Sequence, residues 1–253
     1  MNIKGYLLAS PVVDEIQELN TRVLYAYQRS LIPEELYKSI NENCDGEFVN
    51  IDPENTKCVS DYEAYSELVR YINIQQIMEP FCITTPVLNQ EIRQLFEDPP
   101  EFWCRSYYQI LVDVWANDEN VRKALHIREG TKGEFLRCNR TVAYTKTWLN
   151  TVEYYRNLTN ANLQALVYCA DLDLGVPHLG TQKWIKSFNM SVRDKWRAWF
   201  VEGQVAGYTE IYNMKEDHYF TYVIVKGAGH VAQIFKPKEV YHMINRWFSF
   251  SLI

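Results

Sequence analysis

Two apolar runs dominate the C-terminal third of the chain. Leu163–Ala170 (LQALVYCA) is aliphatic, β-branched and aromatic, and it breaks into a turn carrying two acids, Asp171 and Asp173. Tyr219–Lys226 (YFTYVIVK) is a run of the same kind and leads into Gly227-Ala228-Gly229-His230. Short runs of this composition, bounded by turn residues, predict buried β-strands. Open α/β sheets carry their chemistry just past the C-terminal ends of such strands, where this chain has an acid and a histidine.

The other elements follow from their own spacing. Ile3–Ala9 predicts a strand that enters a loop at Ser10-Pro11. From Val13 to about Ile127 the pattern turns to helices and irregular connections. Pro33-Glu34-Glu35 opens a helix, with proline in the first turn and acids at the positive end of the dipole. Asn117-Asp118-Glu119-Asn120 caps the helix VRKALHI, whose His126 reads as structural. Val142, Trp148, Val152 and Tyr155 recur at helical steps and predict an amphipathic helix over Thr141–Asn157. Gly180–Phe188 predicts a helix leading away from the acidic turn, and Asp194–Tyr212 two strands around Glu202-Gly203-Gln204. Pro237 opens a last helix with Val240, Met243, Ile244 and Phe248 on one face. Strand, turn and helix in this order predict an α/β fold.

Composition narrows the setting. At 253 residues the chain can hold a sizeable core. A net charge of −6 with no basic cluster argues against a nucleic-acid partner. No apolar run reaches the ~18 residues that a membrane span needs. The N-terminus is not a signal peptide, since its apolar core is short and acids follow at once. Two features nevertheless read as secretory: Asn-x-Ser/Thr sequons at Asn139, Asn157 and Asn189, and six cysteines. Cys44 and Cys58 bracket a polar loop with no packing potential of its own, and Cys82 and Cys104 bracket a proline-rich stretch, so each pair is expected to be bridged. Close Cys/His pairs of the kind that hold a metal are absent from the sequence.

An acid that orients a histidine base is two-thirds of a Ser-His-Asp apparatus. Asp173, further out on the turn, is the better candidate to reach His230, whereas Asp171 is placed to bond backbone amides. His178, after Pro177, is a rival base that nothing in the sequence fixes. No serine has the Gly-x-Ser-x-Gly context of a nucleophile elbow, and by chain order the nucleophile should precede the acid.

The segments KGYLLASPV, PEELYKSINENC, NDENVRKALHI, YCADLDLGVPHLGTQKWIKSFN, WRAWFVEGQVAGYTEIY and VKGAGHVA resemble, in order and over the whole chain, the C-terminal part of plant serine carboxypeptidase-like proteins. The resemblance implies a partial α/β-hydrolase fold: a core strand over 1–12, a mainly helical insertion over 13–127, and the C-terminal part of the core over 128–253. It places the family's triad acid on Asp173 and its histidine on His230, with the serine, the oxyanion donors and the leader in a missing N-terminal half. It implies a secreted or vacuolar glycoprotein that needs no cofactor. Cys138 is left without its upstream partner, and Cys169 is expected to be a buried free thiol. Ala170, and Ala9-Ser10, stand where the family has glycine and glycine-asparagine. The segments GTQKWIKSFN and VEGQVAGYTEIY look more like the branch that transfers acyl groups from 1-O-acylglucose esters. The alternatives are C-terminal peptide hydrolysis, cyanohydrin cleavage and a non-catalytic fragment.

Overall fold

A computed structural model describes residues 3–82, 105, 107–128, 130, 133–136, 143–145, 147, 150–214, 218–251 and 253. Its sheet has five strands: β1 (Gly5–Ala9), β2 (Gln164–Ala170), β3 (Val192–Val201), β4 (Gln204–Asn213) and β5 (Tyr219–Val225). Their spatial order is β1-β2-β5-β4-β3; β1–β2 and β2–β5 pair parallel, and β5–β4 and β4–β3 pair antiparallel.

β2 is buried along its whole length, which is why its sequence is apolar without alternation. Leu166 and Tyr168 face one layer with Val223 and Val225 of β5 and with Val240, Met243 and Trp247. These last three lie on the final helix, Pro237–Phe248. Ala165, Val167 and Cys169 face the opposite layer, with Phe220, Tyr222, Trp184 and Ile185. Trp184 and Ile185 belong to the helix His178–Lys186, and Val152 of the helix Val152–Asn160 joins the same layer. Helices on both faces therefore shield the two central strands. Each fully buried large side chain here contributes roughly 1.5–3 kcal/mol by removal from water.

The β3–β4 hairpin closes on Glu202 and Gly203, both at positive φ (47° and 75°), as a tight two-residue turn of the primed type requires. Trp199 locks it to the sheet by donating its indole N–H to the Ile224 carbonyl at 3.1 Å.

A third cluster lies in the same compact unit. It is built by α2 (Thr21–Gln28), α3 (Glu34–Cys44) and α4 (Thr56–Val69), which bury Val23, Tyr25, Ile40 and Tyr65 against Leu174. The expected disulfide Cys44–Cys58 is present and staples the end of α3 to the first turn of α4. Cys82 is also in a disulfide, and Cys104 and Cys138 lie outside the described residues.

The stretch read as one insertion, 13–127, divides between two units. Met1–Met78 and Thr147–Ile253 form one, and Glu79–Lys146 the other. The second unit contains the helices Tyr107–Asn117 and Glu119–Ala124. Asp118 caps the latter by accepting from the Asn120 and Val121 amides, and His126 is exposed at φ 55°.

One expectation is corrected: the helix over 141–157 begins only at Val152. Thr145 and Thr147 are non-helical, and Thr151 N–H donates to the Val13 carbonyl at 2.7 Å. Asn150 pairs with Asp14 at the same point. Tertiary bonds to the loop after β1 draw this backbone out of the helical ladder. Among the described residues no helix is long and apolar enough to cross a membrane.

Candidate active site

β2 and β5 are adjacent and parallel, so the turns that follow them, 171–177 and 226–231, emerge side by side. Asp171, the first residue past β2, ties the two together. Its Oδ1 accepts the Gly227 N–H at 2.6 Å, and Leu172 N–H donates to the Ala228 carbonyl at 3.0 Å. Burial pushes the Asp171 carboxyl up from its ordinary range, while the Gly227 amide and the Arg29 charge pull it back.

Asp173 is the acid that reaches the histidine. Its Oδ2 lies 2.8 Å from His230 Nδ1, and its Oδ1 accepts the Val176 N–H at 2.9 Å. Asp173 is fully buried, whereas the His230 side chain keeps 34% of its surface exposed. A carboxylate on Nδ1 selects the tautomer that leaves Nε2 with its lone pair outward. The hydrogen bond that His230 donates to Asp173 raises the His230 pKa, burial opposes it, and the carboxylate charge adds to the rise. Gly175 leaves room for the acid, since a Cβ there would stand 3.2 Å from Asp173 Oδ1.

His178 is placed differently. It opens its helix close to Arg29, stands edge-on to Tyr25, and no hydrogen bond reaches its Nδ1 among the described residues. Burial, then the Arg29 charge, push its pKa down to about 4, so it is neutral near pH 7. Among the described residues it has no carboxylate partner, and it does not share Asp173. Among the described residues no serine hydroxyl bonds the His230 imidazole.

Three residues that sequence reasoning passed over hold the acidic turn from the other side. Arg22 donates through Nε and Nη2 to the Gly175 carbonyl, while Tyr25 and Arg29 donate to the Asp171 carbonyl. They fall at i, i+3 and i+7, one stripe of α2 and its C-cap, and that spacing was the available signal. Burial pushes the Tyr25 phenol up to about 12, with the Arg29 charge opposing.

The remaining residues lie away from this pair. Cys169 is free and buried, its thiol pushed up to about 12 by burial and set 3.3 Å from Thr181 Oγ1. Asn157 and Asn189 are exposed, and Asn139 lies outside the described residues.

An aspartate–imidazole pair at the C-terminal ends of adjacent parallel strands, under helices on both faces, defines a protein of the α/β-hydrolase class. The solved structure of a prohormone-processing carboxypeptidase from Saccharomyces cerevisiae has this fold. It superposes with a TM-score of 0.65 at 14% identity, covering 97% of this chain and 54% of that one. The family model for serine carboxypeptidase, peptidase S10, matches residues 1–250, and the chain belongs to that family. Serine carboxypeptidase-like 8 and serine carboxypeptidase-like 10 of Arabidopsis thaliana are each 38% identical over 98% of the chain, and serine carboxypeptidase-like 17 is 36% identical over the same share. The chain spans about half the length of these curated relatives, 54%, 54% and 52%.

Proposed function

We propose that Asp173 and His230 are the orienting acid and the general base of serine-dependent acyl transfer, with a 1-O-acylglucose as donor and an alcohol or amine of a small molecule as acceptor. The supporting observation is the 2.8 Å contact between a fully buried carboxylate and a half-exposed imidazole. His230 Nε2 takes the serine proton as the hydroxyl attacks the acyl carbon, then returns it to the departing glucose oxygen. The acceptor's hydroxyl or amine next gives its proton to Nε2, its oxygen or nitrogen attacks the acyl-serine, and the serine oxygen recovers the proton as it leaves. Asp173 holds the tautomer and stabilises the imidazolium in both halves. The choice of donor rests on the likeness of Gly180–Asn189 and Val201–Tyr212 to the acyl-transferring branch. The nucleophile is read as lying outside these 253 residues, because no serine of the chain has the elbow context. Compartment and glycans follow the same likeness: a secreted or vacuolar protein with sugar on the exposed Asn157 and Asn189.

The test offers a fluorophosphonate probe, a 1-O-acylglucose with an alcohol acceptor, and an N-blocked peptide to two proteins. One is the 253-residue chain, and the other a longer product that includes any in-frame sequence upstream. Labelling outside the 253 residues, with ester formation by the longer product alone, is expected. Labelling of a serine within the chain would overturn the placement of the nucleophile, and faster release of the peptide's C-terminal residue would overturn the donor.

A further inference from the structure

The acid turn and the histidine loop do not meet only through Asp173 and His230. The segment Asn73–Ile77 is laid between them and bonds to both. The Ile74 carbonyl accepts two N–H groups of the acid turn, from Leu174 at 2.9 Å and Gly175 at 2.8 Å. The very next carbonyl, of Gln75, accepts the His230 N–H at 2.7 Å. Ile77 N–H donates back to the Leu172 carbonyl at 3.1 Å. Asn73 shapes the segment into a turn, accepting from the Gln75 amide with Oδ1 and from the Gln76 amide with its carbonyl. The fit leaves no slack: a Cβ on Gly229 would stand 2.2 Å from the Gln75 oxygen and 2.7 Å from Gln76 Cβ.

Backbone bonds of this kind can be made by any residue, so they do not explain which way the strap faces. One of its side chains does. Gln76 is 4% exposed, a buried amide in a short irregular segment. Its Nε2 donates to the Gly227 carbonyl at 3.4 Å, and its Oε1 accepts the Met78 N–H at 3.2 Å. It therefore fastens the strap to the start of the histidine loop at Gly227, the same residue whose N–H Asp171 accepts. Burying an amide costs free energy unless both its ends are bonded, which favours the single rotation that meets both demands.

We infer that Gln76 is a positioning residue for the Asp173–His230 pair, holding the carbonyls of Ile74 and Gln75 in register with the acid and the base loops. The inference rests on the proposed reading of that pair. The charged groups at the histidine loop include the exposed Lys226 on the loop itself, Asp173 on Nδ1, Asp171 on the Gly227 amide and Lys236, whose Cε would lie 3.1 Å from a Gly227 Cβ. Gln76 adds no charge to this set, so its effect on the imidazole must pass through geometry.

The experiment uses the whole 253-residue chain labelled with ¹⁵N-histidine, in which five histidines give five traceable signals. Gln76→Met keeps the length and removes both bonds. In it the His230 titration should move down toward the ordinary histidine range and the low-field Nδ1–H signal should be lost. Exchange of the His230 amide should rise about tenfold, as expected when a hydrogen-bonded strap loosens locally. The other four histidines should stay as they are. Thr209→Val is the control for general weakening, since it removes the buried bond from Thr209 to the Tyr222 carbonyl elsewhere in the sheet and should leave His230 alone. Gln76→Glu, which keeps the acceptor for Met78, is the second variant should the Met protein not fold. It is read by amide exchange alone because its own charge would move the imidazole.

Unchanged His230 titration and amide exchange in Gln76→Met, or unchanged amide exchange in Gln76→Glu where the Met protein does not fold, would overturn the positioning role. So would equal changes in Thr209→Val. A wild-type His230 that titrates no higher than ordinary histidine would instead sink the reading of the Asp173–His230 pair itself.

Discussion

The buried carboxyl of Glu18 makes the stability of this fold depend on pH. Glu18 is fully buried, on the short helix Glu15–Leu19 that follows β1. Its Oε2 accepts the Val13 N–H at 2.6 Å and the Asp14 N–H at 3.3 Å, while Oε1 is buried without a hydrogen bond. Gly180 presses on it so closely that a Cβ there would stand 2.6 Å from Glu18 Cγ. Burial pushes its carboxyl from 4.5 up to about 7. The Val13 and Asp14 amides and the nearby Trp184 indole, which makes no full hydrogen bond, relieve part of the burden. Below pH 4.5 the group is protonated in folded and unfolded chains alike. Between 4.5 and about 7 the unfolded chain ionises first, so the folded state binds more protons and stability falls as pH rises. At about 1.4 kcal/mol per pH unit, the full loss is about 3 kcal/mol and is complete above about pH 7. Glu18→Gln cannot titrate. Whatever its stability relative to wild type at pH 4, that difference should move by about 3 kcal/mol in its favour by pH 8. Urea unfolding, followed by the fluorescence of Trp184, Trp196, Trp199 and Trp247 in the same unit, measures the difference. Any contribution from His230 is common to both proteins and cancels. Parallel stability curves for the two proteins across this range would mean that burial does not hold a proton on Glu18.

Asp173→Asn should lower the His230 pKa toward the ordinary value, as read by histidine NMR, and should slow acyl transfer in an active protein by about 10⁴-fold, since an amide favours the wrong tautomer. The raised His230 pKa adds stability that is full below the unfolded value and is lost as pH rises through the folded one, so the wild-type advantage over this variant should be larger at pH 5 than at pH 9. Gly207→Ala would place a Cβ 1.8 Å from the Ile224 oxygen and 2.7 Å from Trp199 Nε1, breaking the indole bond that locks the hairpin. Thermal unfolding should show a loss of about 2–4 kcal/mol. Replacing Cys44 and Cys58 by serine opens a bridge across a sequence separation of 14 and should cost about 3 kcal/mol, read by urea unfolding of the α2–α4 cluster.

What the sequence could reveal of this site divides along a physical line. Asp173 and His230 were legible because each follows an apolar run whose burial forces it into a strand, and the strand ends set where the next side chains go. Arg22, Tyr25 and Arg29 were legible in principle, since their 3- and 4-residue steps put them on one helical stripe, but only the coordinates show what that stripe faces. The helix expected from Thr141 failed for the converse reason. Its spacing is genuine, yet the loop after β1 competes for the Thr151 amide, and that competitor lies 138 residues away in sequence. The strap at 73–77 left almost no trace, because carbonyls of Ile74 and Gln75 do its work and a carbonyl carries no residue identity. Its one readable sign was a glutamine in a polar stretch, where glutamine is unremarkable. Burial alone distinguishes it. Side chains that act through their own chemistry can thus be nominated from the sequence, whereas groups that act by holding backbone in register emerge only once the chain is folded.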